Sequence, residues 1–200
     1  MAKRIACVVE GHGDIEAVPI VVERIANRAM PDLVLQITTP LRTPKSRLVK
    51  PGELERAVEF AARRVSRVGG VLVVIDSDDD CPAEVGPELL ARASIALPAL
   101  PVAVVLAKRE MECWFIAAAE SLASRIGLPS DLQAPPNPES IRGAKEWLTS
   151  KMEGSRSYSP TLDQPVLARY FDLDRALQAE SFAKLHRDVQ RLLEQAPDAW

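Results

Sequence analysis

The sequence has few cysteines, and their spacing matches neither a disulfide framework nor a zinc site. Its 200 residues include three of them, Cys7, Cys81 and Cys113. They lie far apart and are odd in number, which argues against a set of structural disulfides. We therefore expect a reducing, cytoplasmic setting for this chain.

Long hydrophobic runs and a strong net charge are also missing. The first apolar run, in MAKRIACVVEG, is short and ends at Glu10, so we expect neither a signal peptide nor a membrane span. The formal net charge of -3 gives no overall attraction to nucleic acid. Binding to nucleic acid would need a local basic patch, with a metal to offset the acids.

The apolar residues that are present indicate an α/β fold. Runs rich in Val and Ile predict four strands, and segments with helical periodicity lie between and after them. This alternation is typical of a mostly parallel four-stranded sheet flanked by helices. The predicted strands are 4–9, 33–38, 71–75 and 102–107, and the predicted helices of this part are 15–29, 53–68, 83–96 and 111–125.

A proline-rich stretch at 129–138 separates this pattern from the rest of the chain. We predict an α/β domain over residues 1–128 and a helical extension over residues 129–200 that packs on the same domain. The extension should contain helices at 140–152 and 181–195, with a polar loop at 155–167 between them.

Acidic residues follow three of the predicted strands. Glu10 follows the first strand, Asp76 and Asp78 follow the third, and Glu110 and Glu112 follow the fourth. Parallel strands of one sheet point the same way, so these acids should meet at its carboxyl edge. Their oxygens suit magnesium, manganese or calcium. A two-metal site, with ions about 3.5–4 Å apart, could also be built from such a set.

Other charged residues near this edge have simpler interpretations. Asp79 and Asp80 are typical of helix caps or turns. Glu110 and Glu112 are two apart, so on a helix they face different sides, and we expect only one of them to be a ligand. Lys108 either neutralises a phosphate or remains a solvated charge at the strand end.

One basic segment could contact nucleic acid despite the acidic total. Residues 40–52 contain no acid, and their basic side chains either contact phosphates or are simply solvated. The candidate nucleic-acid-binding residues are Arg42, Lys45, Arg47 and Lys50.

Four motifs in this order resemble the Toprim fold of topoisomerases, primases and the overcoming-lysogenization-defect nucleases. They are VVEGHGDIEAV, VVIDSDDD, LAKREMECWFIAAAESL and the pair SRSYSPTLDQPVLARYFDLDRA and SFAKLHRDVQRLL. The combination is similar to a bacterial family of uncharacterised Toprim-like proteins over about residues 4–193. The resemblance implies a Toprim-like (Rossmann-like) sheet.

The resemblance also implies a metal-dependent phosphoryl-transfer site that uses Mg²⁺ or Mn²⁺. Glu10 would be a metal ligand or general acid/base, and Asp76 and Asp78 would hold the ion. The acids that hold a second metal in the nuclease branch correspond to Asp14 and to Glu110 or Glu112.

These observations lead us to expect a nuclease or phosphodiesterase acting on nucleic acid, of the kind that serves in anti-phage defence modules. Its catalytic residues would be Glu10, Asp76, Asp78 and Lys108. The chain lacks a G-x-x-x-x-G-K-[ST] loop, so a partner ATPase would be a separate protein.

Two alternatives remain open. One is a non-catalytic Toprim-like subunit that binds an ATPase. The other is a receiver-like phosphoacceptor in which Asp76 takes the phosphate. A homo-oligomer is compatible with all three roles.

Overall fold

A computed structural model describes residues 2–66 and 68–198. Its strands form one parallel sheet with helices on both faces, which confirms the predicted α/β class. All four predicted strands are present, and a two-residue strand brings the number to five within the described part of the chain. The strands are β1 (Ala2–Val9), β2 (Val34–Ile37), β3 (Leu41–Arg42), β4 (Gly70–Asp76) and β5 (Val102–Ala107).

The order of the strands is β2-β1-β4-β5, with β3 paired to the end of β1. All of these pairs are parallel. The chain passes from β1 to β2 on one side and later enters β4 on the other side of β1. The order therefore reverses between β1 and β4. In open α/β sheets, ligands bind in the crevice outside the carboxyl ends of strands at such a point.

The helices complete the layers on either side of the sheet. No helix of the described residues is long and apolar enough to cross a membrane. The helices are α1 (Asp14–Ala29), α2 (Lys45–Leu48), α3 (Glu53–Arg64), α4 (Pro82–Ala96), α5 (Glu112–Ala117), α6 (Ala144–Lys151), α7 (Pro160–Tyr170), α8 (Leu173–Ala176) and α9 (Glu180–Gln195), with 3-10 turns at Ala119–Leu122 and Pro138–Ser140.

The central strands supply side chains to two separate cores. On β4, Leu72 and Val74 face the core beneath α1, α5 and α9, whereas Val71, Val73 and Ile75 face the core beneath α3 and α4. Both faces of β4 are buried, and this is why its sequence is a continuous apolar run. Burying each such side chain stabilises the fold by about 1.5–3 kcal/mol.

Aromatic rings join the C-terminal helices to the sheet. Phe182 of α9 packs edge to face on Trp114 of α5, with ring centroids 5.7 Å apart. Phe171 contacts Phe182 at 5.4 Å and Phe115 at 5.2 Å. Helices that follow residue 129 thus share the core of the sheet, while the division of the chain at that residue stays a prediction.

Two segments predicted to be loops contain regular structure. Residues 40–52 include β3 and α2, because Leu41 and Arg42 pair with Val8 and Val9 at the end of β1. The prediction of a polar loop at 155–167 is wrong, because α7 begins at Pro160 and buries apolar side chains such as Leu167. Proline is well suited to the first turn of a helix, where its missing N–H needs no partner.

Several predicted helices are shorter than their apolar periodicity indicates. The helix predicted at 111–125 begins at Glu112, ends at Ala117 and continues as a 3-10 turn. The one predicted at 53–68 ends at Arg64, and Arg67 lies outside the described residues. In these cases, apolar side chains continue to pack beyond the last regular turn.

Candidate functional site

Glu10 and Asp76 lie side by side where the strand order reverses. The backbone N–H of Asp76 donates a hydrogen bond to Glu10 Oε2 across 3.2 Å. Asp76 Oδ1 in turn accepts a hydrogen bond of 2.8 Å from the N–H of Met111, just after β5. Glu10 therefore contacts Asp76 through the Asp76 backbone, and the charges that act on the Glu10 carboxyl group are those of Asp78 and Lys45.

The carboxyl group of Asp76 is surrounded by protein on most sides and by other acids. Its pKa lies well above the usual range, first because burial disfavours the charged form. The charges of Glu112, Asp14 and Glu10 raise this pKa further, while Lys145 lowers it. The acids around Asp76 thus raise its pKa more than the ammonium group of Lys145 lowers it.

Asp14 lies in the first turn of α1 and has protein donors on both oxygens. The N–H of Gly11 donates to Oδ2 at 2.7 Å, and Gln164 Nε2 donates to Oδ1 at 2.8 Å. A Cβ atom on Gly13 would overlap Gln164 Oε1 and approach the carbonyl oxygen of Pro160 to 2.5 Å. Glycine is therefore required where α7 meets the start of α1.

Glu110 and Glu112 meet at the ammonium group of Lys145. Lys145 Nζ is 3.2 Å from Glu110 Oε2 and 3.4 Å from Glu112 Oε2. The expectation that the two acids face different sides is wrong, because Glu110 precedes α5 and is not constrained by helical geometry. Burial alone would lower the pKa of Lys145, but Glu112, Asp76 and Glu110 together raise it.

Glu112 is the most deeply buried acid of the site, with 1% of its surface exposed. The hydroxyl group of Tyr158 donates a hydrogen bond to Glu112 Oε1 at 3.2 Å. Glu112 Oε2 accepts no hydrogen bond from the described residues, although Lys145 lies beside it. Burial raises the pKa of Glu112, and burial beside this carboxylate raises that of Tyr158.

Asp78 and Asp80 form ion pairs with Lys45, one of the predicted nucleic-acid-binding residues. Lys45 Nζ lies 3.0 Å from Asp78 Oδ2 and 2.9 Å from Asp80 Oδ2, and it donates to the carbonyl of Ser77 at 2.5 Å. Lys45 is only 8% exposed. Its ammonium group is thus an internal ion-pair partner, which removes it from the predicted basic surface.

The turns that follow β4 and β5 are hydrogen-bonded to each other. The N–H of Arg109 donates to Ser77 Oγ, and the N–H of Asp78 donates to the carbonyl of Arg109, both at 3.0 Å. Asp78 and Arg109 have φ angles of 52° and 67°, in the left-handed region. Such backbone conformations are uncommon outside glycine and cluster at functional sites.

Asp79 does not cap α4, which begins after Cys81 without a side-chain cap. Its Oδ1 pairs instead with Arg109 and, at 2.7 Å, with Arg142 Nη1. Together with Asp80, it forms a turn whose acids are all paired with bases.

Of the other predicted basic residues, only Arg42 has a contact at the carboxyl edge among the described residues. Arg47 pairs with Glu53. Arg42 is exposed, and its guanidinium donates to the carbonyl of Glu10 at 3.5 Å, so it lies at the carboxyl edge. Lys50 is exposed.

A cleft of about 500 Å³ opens beside the turn after β4. Asp78, Asp79 and Asp80 line one side, and Lys108 is exposed at its wall. The basic residues that line the cleft are Lys108, Arg109, Lys184 and Arg187.

Residues 9–190 match the family model described as Domain of unknown function (DUF4276). The chain belongs to this family. No curated protein and no solved structure matches it. The DUF4276 region contains every acid of the site together with Lys45, Lys145 and Tyr158.

The donors of this DUF4276 site are oxygen atoms, as Mg²⁺ and Mn²⁺ prefer. Within residues 2–66 and 68–198, however, no three His, Cys, Asp or Glu side chains are grouped closely enough to hold a metal ion by themselves. Lysine ammonium groups, at Lys45 and Lys145, occupy positions among the carboxylates instead.

Sequence reasoning missed three residues of the site, namely Lys145, Tyr158 and Gln164. Each contacts an acid that is far away along the chain, and none belongs to a recognisable spacing. The available signal was weak. It was a run of polar residues, including Tyr158 and Gln164, in a segment flanked by helices.

Proposed function

We propose that this protein is a divalent-metal-dependent phosphodiester hydrolase of the Toprim type that cleaves nucleic acid in the cytoplasm. The observation that carries the proposal is the hydrogen bond from the Asp76 backbone to the Glu10 carboxylate where the strand order reverses, together with an Asp76 carboxyl group whose pKa is raised by burial and by nearby acids. A site with surplus carboxylate charge favours binding of a hard cation.

The proposal requires Mg²⁺ or Mn²⁺ to bind with few protein ligands. Mg²⁺ commonly binds through one or two carboxylates, several waters and the phosphate oxygens of its substrate. Glu10 and Asp76 would provide these carboxylates. A site of this kind needs no cage of three protein ligands before the substrate binds. When bound, the ion would supply charge to the phosphoryl group and lower the pKa of a water molecule.

The remaining residues of the edge would position substrate. Glu10 Oε2 accepts a hydrogen bond from the backbone N–H of Asp76 at 3.2 Å, and as a carboxylate oxygen it would accept a proton from a water molecule. Arg42 and Lys108 are exposed on either side and could contact phosphate oxygens. Asp78 holds Lys45 in place, and so we assign it a positioning role.

The cleft beside the turn after β4, whose lining contains both acidic and basic side chains, is the surface we propose for the nucleic-acid strand. Its acids Asp79 and Asp80 are paired with Arg109 and Lys45, which reduces their repulsion of a phosphate backbone. Lys108 and Arg187 lie along its walls. Neutralising phosphates in this way makes binding depend strongly on salt.

The proposal is tested by incubating purified protein with supercoiled plasmid and with single-stranded RNA in Mn²⁺ or Mg²⁺. Cleavage should require the metal and fall at least 100-fold in Asp76→Asn. The matched control is Asp131→Asn, which changes an exposed acid outside the site and should cleave as the unchanged protein does. Equal cleavage by both variants, or none by the unchanged protein, would reject the hydrolase.

One observation favours a second candidate, a non-catalytic subunit that docks on a separate ATPase. Lys45 forms ion pairs with Asp78 and Asp80, and Lys145 forms ion pairs with Glu110 and Glu112, as in a structural ion-pair network. In that case, the unchanged protein and the Asp76→Asn variant would bind the ATPase equally well. The two candidates are thus separated by measuring cleavage and co-purification on the same variants.

A further inference from the structure

The two outer strands of the sheet, β2 and β5, differ in how their free edges are covered. At β5, Lys184 Nζ of α9 donates to the carbonyl of Val104 at 3.0 Å. Just beyond that strand, the N–H of Lys108 donates to Ser181 Oγ of the same helix, also at 3.0 Å. Side chains of α9 therefore occupy part of the β5 edge.

The backbone of β2 is free on the side that faces away from β1. The N–H of Thr38 donates to the carbonyl of Ile5 at 3.0 Å, so alternate residues along this strand face β1. The backbone groups of Leu35 and Ile37 consequently point outwards. Within residues 2–66 and 68–198, β2 pairs with no strand except β1, and no side chain bonds to these outward groups.

The side chains along this open edge are mostly apolar. Val34 is 60% exposed, and Leu33, Leu35 and Ile37 are only partly buried against the core beneath α1. The four residues of β2, VLQI, include no lysine or proline, which protect many natural sheet edges. An exposed apolar edge of this kind is a template for pairing with another strand.

Opposite charges lie at the two ends of the edge. Asp32 precedes β2 and is exposed. Arg64 lies beyond the other end, where its guanidinium donates to the carbonyl of Thr39. Neither charge has an ion-pair partner in the described part of the chain. Two copies of β2 that run antiparallel would bring Asp32 of each copy close to Arg64 of the other.

We propose that β2 pairs antiparallel with β2 of a second copy of this chain, so that one sheet continues through both copies. Leu35 and Ile37 of each copy exchange backbone hydrogen bonds with the same residues of the other. A two-fold axis repeats every contact, including the ion pair between Asp32 and Arg64. Glu10 and Asp76 take no part in this pairing, which therefore does not depend on the proposed function.

Sedimentation equilibrium of the full chain at rising concentration tests the pairing. The unchanged protein should reach twice the mass of one chain. Val34→Lys should raise the dissociation constant of the dimer at least tenfold, because two ammonium groups would lie near the two-fold axis. Ile95→Lys is the matched control, since Ile95 is 80% exposed on α4, away from this edge. It should dimerise as the unchanged protein does.

A charge exchange tests the antiparallel arrangement itself. Asp32→Arg and Arg64→Asp should each weaken the dimer about tenfold, because each places like charges together. The double variant should return the dissociation constant to within about threefold of that of the unchanged protein, since the opposite charges face each other again. Circular dichroism shows that each variant is folded, and the exchange replaces Val34→Lys as the test if that variant does not fold.

Three results would overturn the pairing. A protein that stays monomeric at millimolar concentration excludes a second copy and leaves the edge to a strand of a different protein. A dimer that Val34→Lys leaves intact, or that Ile95→Lys weakens equally, forms through another surface. A double variant that dimerises no better than the single variants excludes the antiparallel arrangement. None of these results bears on cleavage by the hydrolase.

Discussion

The hydroxyl group of Tyr158 donates a hydrogen bond to Glu112 Oε1 across 3.2 Å, although 46 residues separate them in the sequence. Both residues are buried, at 8% and 1% exposure, so bulk solvent has little access to either partner. The bond joins the segment before α7 to the start of α5. It therefore contributes both to the position of Glu112 and to the stability of the fold.

Replacing Tyr158 with phenylalanine should lower the free energy of unfolding by about 1–3 kcal/mol, because the Glu112 carboxylate loses its donor. Urea denaturation followed by circular dichroism measures this change. Tyr170→Phe is the matched control, since Tyr170 is 48% exposed. It should change stability by less than about 0.5 kcal/mol. Equal effects of the two variants would contradict a structural role for this bond.

Two glycine substitutions should act in opposite directions. Gly13→Ala should cost about 1–3 kcal/mol, because its Cβ would overlap Gln164 Oε1 and force apart α1 and α7. Gly86→Ala, inside α4, should stabilise by about 0.5–1 kcal/mol, since its Cβ would meet only Leu106 Cδ1 at 3.9 Å. Thermal denaturation of both variants checks the signs. A Gly13→Ala variant as stable as the unchanged protein would refute the close approach.

Asp76→Asn should gain stability relative to the unchanged protein as pH rises. The pKa of Asp76 is raised in the folded state, so the folded protein keeps a proton that the unfolded chain releases near pH 4. Stability is consequently lost as pH rises from that value through the raised pKa. Asparagine does not titrate and avoids this loss.

The measurement for Asp76 is the melting temperature between pH 4 and pH 8 in the presence of a metal chelator. The difference between Asp76→Asn and the unchanged protein should grow with pH, in favour of the variant. Asp131→Asn, at an exposed position, should follow the unchanged protein. A difference that stays constant with pH would show that Asp76 titrates as an ordinary aspartate.

The thiols should differ sharply in reactivity. Cys81 is exposed, whereas Cys7 and Cys113 are buried, and burial raises the pKa of each buried thiol to about 12. Iodoacetamide at pH 8 should therefore modify one cysteine of the folded protein and three after unfolding, as counted by mass spectrometry. A Cys81→Ser variant should remain unmodified while folded. Rapid labelling of Cys7 or Cys113 in that variant would contradict the packing of β1 and α5.

The sheet and the meeting of Glu10 and Asp76 could be predicted from the sequence. Strands buried on both faces are continuous apolar runs, and parallel strands necessarily deliver the residues after them to one edge. These two rules were enough to place β1, β4 and β5 and to select the acids that follow them. The short strand β3 was not predicted, because two residues carry too little pattern.

The partners of the acids could not be predicted in the same way. Lys145 and Gln164 reach the site only through the packing of α6 and α7, and tertiary packing of this kind leaves no local spacing. The helix α7 was missed because its sequence, PTLDQPVLARY, contains two prolines and several polar residues. The sequence places Lys45 among residues that contact phosphates or are solvated because its segment is basic and has no acid, whereas in the structure Lys45 pairs with Asp78 and Asp80, which lie more than 30 positions away.

The paired turns after β4 and β5 have a consequence for protein engineering. Ser77 and Asp78 exchange hydrogen bonds with the backbone of Arg109, so neither turn can adopt its shape without the other. Transplanting the aspartate-rich segment alone into another scaffold should fail to reproduce its conformation. A successful graft would have to carry both loops as a single cassette.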